Sequence, residues 1–139
     1  MIPLSAAIRK GALLCEGEGT PYFGANCGCD AFGAAHLGAL REPEIEPFWQ
    51  FRKTASDESF KEHMVRSLMR VFPQLGSTVR SWPALAAELE SLSLLPRRAR
   101  NRTAYRREEH MSLWQTIVCL QYEGSRKAEI ADFLARHGL

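Results

Sequence analysis

The densest concentration of side chains that could do chemistry is a run of six arginines, Arg97, Arg98, Arg100, Arg102, Arg106 and Arg107, with Asn101, Thr103 and Tyr105 between them. A guanidinium pairs bidentately with phosphate or carboxylate, and a basic stretch is a common electrostatic footprint for nucleic acid. The sequence therefore marks 97–107 as a site for phosphate or an acidic partner, the alternative being a solvated linker between helices. A second candidate is Cys27-Gly28-Cys29, with Cys15 before it and His36 after it, because thiolate and imidazole are the ligands zinc prefers. A single C-x-C lacks the second paired knuckle of a strong zinc signature, so partly buried cysteines are the simpler expectation and neither metal nor cofactor is assigned.

Enzymatic signatures fail one by one. Gly19-Thr20-Pro21-Tyr22-Phe23-Gly24 has the glycine spacing of a phosphate loop, but Ala25-Asn26 stand where Lys and Ser/Thr must reach phosphate and magnesium. His110 and Cys119 are nine residues apart on one expected helix, and at about 100° per residue they fall on opposite sides of it. None of the four histidines (His36, His63, His110, His137) sits in a zincin or di-iron pattern, and each reads singly as a surface or core-edge residue. No catalytic residue is expected; a cleft holding perturbed titratable groups would be the sign of an unusual active site. The remaining candidates are aromatic. Phe48, Trp49 and Phe51, which follow an acidic connector bracketed by Pro43 and Pro47, serve either as core or as the anchors of a protein interface.

These groups must be carried by helices. Ser5 is placed to cap a first helix to about Cys15, with Ala7, Ile8, Gly11, Leu14 and Cys15 on one buried face. Asp30 caps a second, Ala31 to Leu40, whose small residues allow another helix close approach. Pro47 is placed to open a short helix holding the aromatics. Ser56 caps the clearest helix of the chain, in which Phe60, Met64, Leu68 and Phe72 recur every fourth residue until Pro73 ends it. Pro83 opens a helix with Leu85, Leu89 and Leu92 inward, ended by Pro96. A further helix, about Glu108 to Tyr122, buries Met111, Trp114, Ile117 and Val118 and stops at Gly124. The last, Arg126 to His137, is capped by Ser125 and buries Ile130, Phe133 and Leu134. The turn at Gly124-Ser125, followed by Arg126-Lys127, suggests a helix-turn-helix, but Glu129 and Asp132 give the exposed face a mixed sign, and a plain helical hairpin is preferred.

Composition agrees with an all-α fold: a compact single-domain bundle of six to seven short helices over 1–139, interrupted by the basic irregular segment 97–107. The chain is 45% hydrophobic and 24% charged over 139 residues, which is the range of one globular domain rather than of a disordered chain. Net charge is only +2 but is divided unevenly, −3 over residues 1–60 and +5 over 61–139. No span approaches the roughly 18 uninterrupted apolar residues of a membrane helix, so no membrane association is expected. The apolar start is followed, not preceded, by Arg9 and Lys10, unlike a secretory signal; a cytoplasmic, reducing setting with unpaired thiols is expected. The sequon at Asn101 then carries no glycan.

Three segments carry a resemblance: Leu4-Ser5-Ala6-Ala7-Ile8-Arg9-Lys10-Gly11-Ala12, Gly28-Cys29-Asp30-Ala31-Phe32-Gly33-Ala34-Ala35, and Ile130-Ala131-Asp132-Phe133-Leu134. Together they resemble a loose group of small uncharacterised helical proteins of bacteria and phages, at the two ends of the chain only. The group's closing helix pair usually has a His-Leu-Asn run where this chain has Cys119-Leu120-Gln121. The resemblance implies an all-helical domain of mobile elements and no activity. The sequence thus leads to a small non-enzymatic protein of phage or mobile-element type that binds and modulates another macromolecule, a protein first. A nucleic-acid-binding regulator using 97–107 is the alternative, and self-association is left open.

Overall fold

The computed structural model describes residues 2–18, 28–78, 112–122 and 124–139. The arginine run, the Pro83 helix, Met111, His110, the glycine loop and Cys27 lie outside these residues. The described residues form an all-α fold of six α-helices: α1 (Leu4–Leu14), α2 (Ala31–Ala39), α3 (Glu42–Thr54), α4 (Asp57–Val71), α5 (Leu113–Tyr122) and α6 (Lys127–Arg136), with a 3₁₀ turn at Pro73–Gly76. None is long and apolar enough to cross a membrane.

The tightest contact in the fold is between α1 and α2. They run antiparallel with Gly11 against Ala34 and Gly38 against Ala7, so close that a Cβ on either glycine would coincide with the opposing carbonyl oxygen. The small-residue character of α2 is thus used as its sequence suggested. Leu4, Ala7 and Ile8 on α1 are buried, and α6 closes over α1 with Ile130, Ala131, Phe133 and Leu134. Leu14, expected on the buried face, is 48% exposed instead; α1 ends there, and the chain turns so that Cys15 enters the core.

Several helix ends differ from the sequence expectation. Ser5 does not cap α1, which starts two residues earlier than a Ser5 cap would place it, with Pro3 in the cap position; the Ser5 hydroxyl and N–H both donate to the carbonyl of Leu139. Asp30 caps α2 as expected, accepting from the Gly33 N–H at 2.8 Å. Pro43, not Pro47, stands at the opening of α3, and Pro47 lies inside the helix. A proline there has no N–H for the Pro43 carbonyl one turn back, so α3 proceeds with that bond missing. Ser56 caps α4, whose Phe60, Met64 and Leu68 are buried along with Phe72, as their spacing requires. On α5 the buried side is Leu113, Thr116, Ile117, Cys119 and Leu120; Val118 is 44% exposed, while Trp114 stacks on Phe32 with ring centroids 4.1 Å apart. Gly124 ends α5 with φ +98°, the left-handed stop that its residue type favours. The opening of α6 is held by Glu129, which accepts from the N–H of Arg126, rather than by Ser125.

Candidate binding groove

Two of the three expected interface aromatics turn toward one open groove. Phe48 and Phe51, one turn apart on α3, face it together with Glu44 and Pro47 of the same helix. From α2 come His36 and Leu40; from α4 come His63, Ser67 and Arg70, spaced four and three residues apart along one line. The space enclosed is about 290 Å³. Trp49 packs against Phe48 at 5.3 Å and is half-buried beside the groove rather than in it.

Four rings form the groove's wall in the order Phe48, His36, His63, Phe51. Successive centroids are 4.7, 6.1 and 4.8 Å apart. Phe60, at 6.0 Å from Phe48 and 6.1 Å from Phe51, supports both phenylalanines from the core. The wall is therefore a product of helix packing: α4 supplies Phe60 as its foundation, α3 leans Phe48 and Phe51 on it, and α2 sets His36 against Phe48.

The polar groups of this groove are incompletely paired. His36 is 5% exposed and Ser67 8% exposed, and neither side chain makes a hydrogen bond among the described residues. Arg70 likewise makes no ion pair there, whereas Glu44 accepts from both the N–H and the guanidinium of Arg41. Buried polar atoms are normally satisfied, so two that converge on one open space call for a physical reason. Burial, then the neighbouring His63 and Arg70 of α4, push the His36 imidazole down to about 4, with Glu44 of α3 acting in the opposite sense. The ring is neutral at pH 7.

This has a consequence for stability. In the unfolded chain His36 takes up a proton near pH 6.5, but in the folded protein only near 4, so acidification favours unfolding across that interval. The loss should reach roughly 3 kcal/mol once the pH is below about 4. Urea-unfolding midpoints of wild type and His36→Gln, compared between pH 7.5 and 4, isolate the contribution: the variant should lose less stability than wild type, and equal slopes would contradict the assignment.

Comparison with protein-family models, curated proteins and solved structures finds no match to this chain.

The other sequence candidates are dispersed. The six arginines lie outside the described residues. Cys15 and Cys29 come together in the core, but His36, their proposed companion, belongs to the ring wall of the groove. Among the described residues no three His, Cys, Asp or Glu side chains converge as a metal site would require. The Cys29 thiol is pushed up to about 12, first by burial and then by its hydrogen bond with Cys15, despite the opposing effect of Lys127. A thiol so held is protonated and a poor nucleophile.

Lys127, expected on an exposed helix face, is 3% exposed. Its ammonium donates to the carbonyls of Cys15 and Cys29 at 3.0 Å and to that of Gly17, with Glu16's at 3.4 Å. Those of Cys15, Glu16 and Gly17 follow the last turn of α1, where a cation is also favoured by the helix dipole, and that of Cys29 lies just ahead of α2. The ammonium forms the inner edge of a second cleft, about 350 Å³, lined also by Glu18, Asp30, Gln121 and Arg126. Because it is consumed by this cage, Lys127 cannot reach a phosphate, which removes one of the two cations that open a helix-turn-helix reading of α5 and α6.

The histidine–serine–arginine side of the groove is absent from the sequence expectation. One of its two signals was the line His63, Ser67, Arg70 on α4, bordering the apolar stripe Phe60, Met64, Leu68. A solitary histidine within the apolar helix α2 was the other.

Proposed function

We propose that this chain is a non-enzymatic binding module of the mobile-element type that modulates another protein by holding one of its segments in the groove between α2, α3 and α4. The observation that carries the reading is the convergence of Phe48 and Phe51 with buried His36 and Ser67, whose side chains make no hydrogen bond among the described residues, in one open space. Apolar walls supply binding energy, while a few fixed polar groups supply orientation. A ligand that hydrogen-bonds His36 and Ser67 supplies the pairing that they lack among the described residues.

A perturbed histidine in a cleft is also what an active site would offer. Turnover, however, calls for a nucleophile hydrogen-bonded to its base and a third group orienting that base. Ser67 and His36 make no hydrogen bond among the described residues, which favours binding.

The test uses tagged full-length protein and its Phe51→Glu variant, exposed to nuclease-treated lysate. Phe51 is half-buried at the groove, so a glutamate there places a charge against the ring wall with limited damage to the core. A protein retained by wild type and lost, or weakened at least tenfold, by the folded variant is the expected result. Equal retention by both would reject the groove as the docking site.

A further inference from the structure

We infer that the groove recognises a carboxylate: its ligand is a partner-protein segment presenting an Asp or Glu side chain beside an apolar one. This rests on the groove being the docking site and specifies what it reads. The apolar half is matched by the rings of Phe48 and Phe51. The acidic half is matched by Arg70, whose guanidinium has no ion pair among the described residues, and by the Ser67 hydroxyl and imidazole N–H groups of His36 and His63, all donors lining the same space. None of the ring or hydroxyl donors has a hydrogen-bond acceptor among the described residues, so an incoming anion meets donors ready to engage.

The same residues argue the charge of the guest. Arg70 is the charged donor of the groove, beside the neutral His36 ring and His63, so an anion entering there meets a guanidinium and imidazole donors together. Glu44 enters the groove from α3 rather than from the helix that carries Arg70, and its carboxylate already accepts from the N–H and guanidinium of Arg41. One guanidinium facing one carboxylate across the groove fits a monoanion; a phosphoryl dianion would meet stronger repulsion from Glu44 with no second guanidinium to offset it. A carboxylate also accepts from an arginine and a hydroxyl at once, which the two neighbouring α4 positions provide.

Small probes test this without a known partner. Phenylacetate, phenylacetamide and phenyl phosphate, which share the ring and differ in the head group, are titrated into the full-length protein while the ring-proton resonances of His36 and His63 are followed by NMR. Phenylacetate should bind saturably, at least tenfold tighter than phenylacetamide and tighter than phenyl phosphate. Arg70→Ala should weaken it about tenfold and Ser67→Ala severalfold, with unchanged circular dichroism. Equal binding of acid and amide, or indifference to Arg70→Ala, would overturn the inference; tighter binding of phenyl phosphate would overturn the choice of carboxylate. Partner capture separates the two levels. A partner lost with Phe51→Glu but kept with Arg70→Ala leaves the groove as the docking site and removes only carboxylate recognition, whereas a partner indifferent to both removes the two together.

Discussion

Lys127→Met should destabilise the protein by about 3–5 kcal/mol, enough to remove a large part of a typical domain's stability. The methionine keeps an apolar stem of similar length, so the loss falls on the ammonium. Three carbonyls, of Cys15, Gly17 and Cys29, lie at 2.5–3.0 Å from its nitrogen, one for each proton. Each carbonyl left buried without a donor costs about 1–3 kcal/mol, although Gly17 retains the N–H of Cys29 and Cys15 the weak Cys29 thiol donor. The cage ties the segment after α1 to the first turn of α6, residues more than a hundred positions apart in the chain. Lys127→Arg should recover part of the loss at most, since a planar guanidinium cannot place three donors around one point. Urea-unfolding midpoints at pH 7.5 provide the measurement. A Lys127→Met protein within 1 kcal/mol of wild type would mean that water replaces the ammonium at little cost.

Gly11→Ala and Gly38→Ala should each cost about 3 kcal/mol or more, against a general expectation that alanine improves a helix. Two effects of opposite sign compete. Helix propensity favours alanine over glycine by about 1 kcal/mol. Against it, the new methyl would fall on the carbonyl oxygen of Ala34 or of Ala7, a backbone atom that cannot rotate away, so α1 and α2 must separate. Separation opens the small-residue interface along its length and forfeits dispersion contacts with it. Because one separation accommodates both methyl groups, the double variant should lose distinctly less than the sum of the single ones. Strict additivity in thermal or urea unfolding would show that the two sites relax independently. A stabilised Gly11→Ala protein would refute the close crossing outright.

The crossing also bears on the groove. His36 lies two residues from Gly38, and α2 is held from behind by α1 while its other side presents His36 to Phe48. A displaced α2 would carry His36 away from α3 and α4. Glycine substitutions are therefore expected to weaken ligand binding as well as stability, whereas Lys127→Met acts at the far cleft and should alter stability first.

What the sequence by itself determined was local. The four-residue recurrence of Phe60, Met64, Leu68 and Phe72, the caps Asp30 and Ser56 and the stop at Gly124 each depend on neighbours within a turn or two, where helical geometry is the same in every fold. The small residues of α2 likewise announced a close partner, though not which one. Tertiary structure alone decided the rest. A lysine at a helix start reads as solvated until the carbonyls of a segment a hundred residues away surround it. His36 and His63 read as separate until α2 and α4 bring their rings to 6.1 Å, and Phe48 and Phe51 become groove wall only once Phe60 lies beneath them. The reason is common to all three: burial, pairing and charge perturbation depend on distances across the fold, and those are set by how helices pack rather than by the spacing of residues along any one of them.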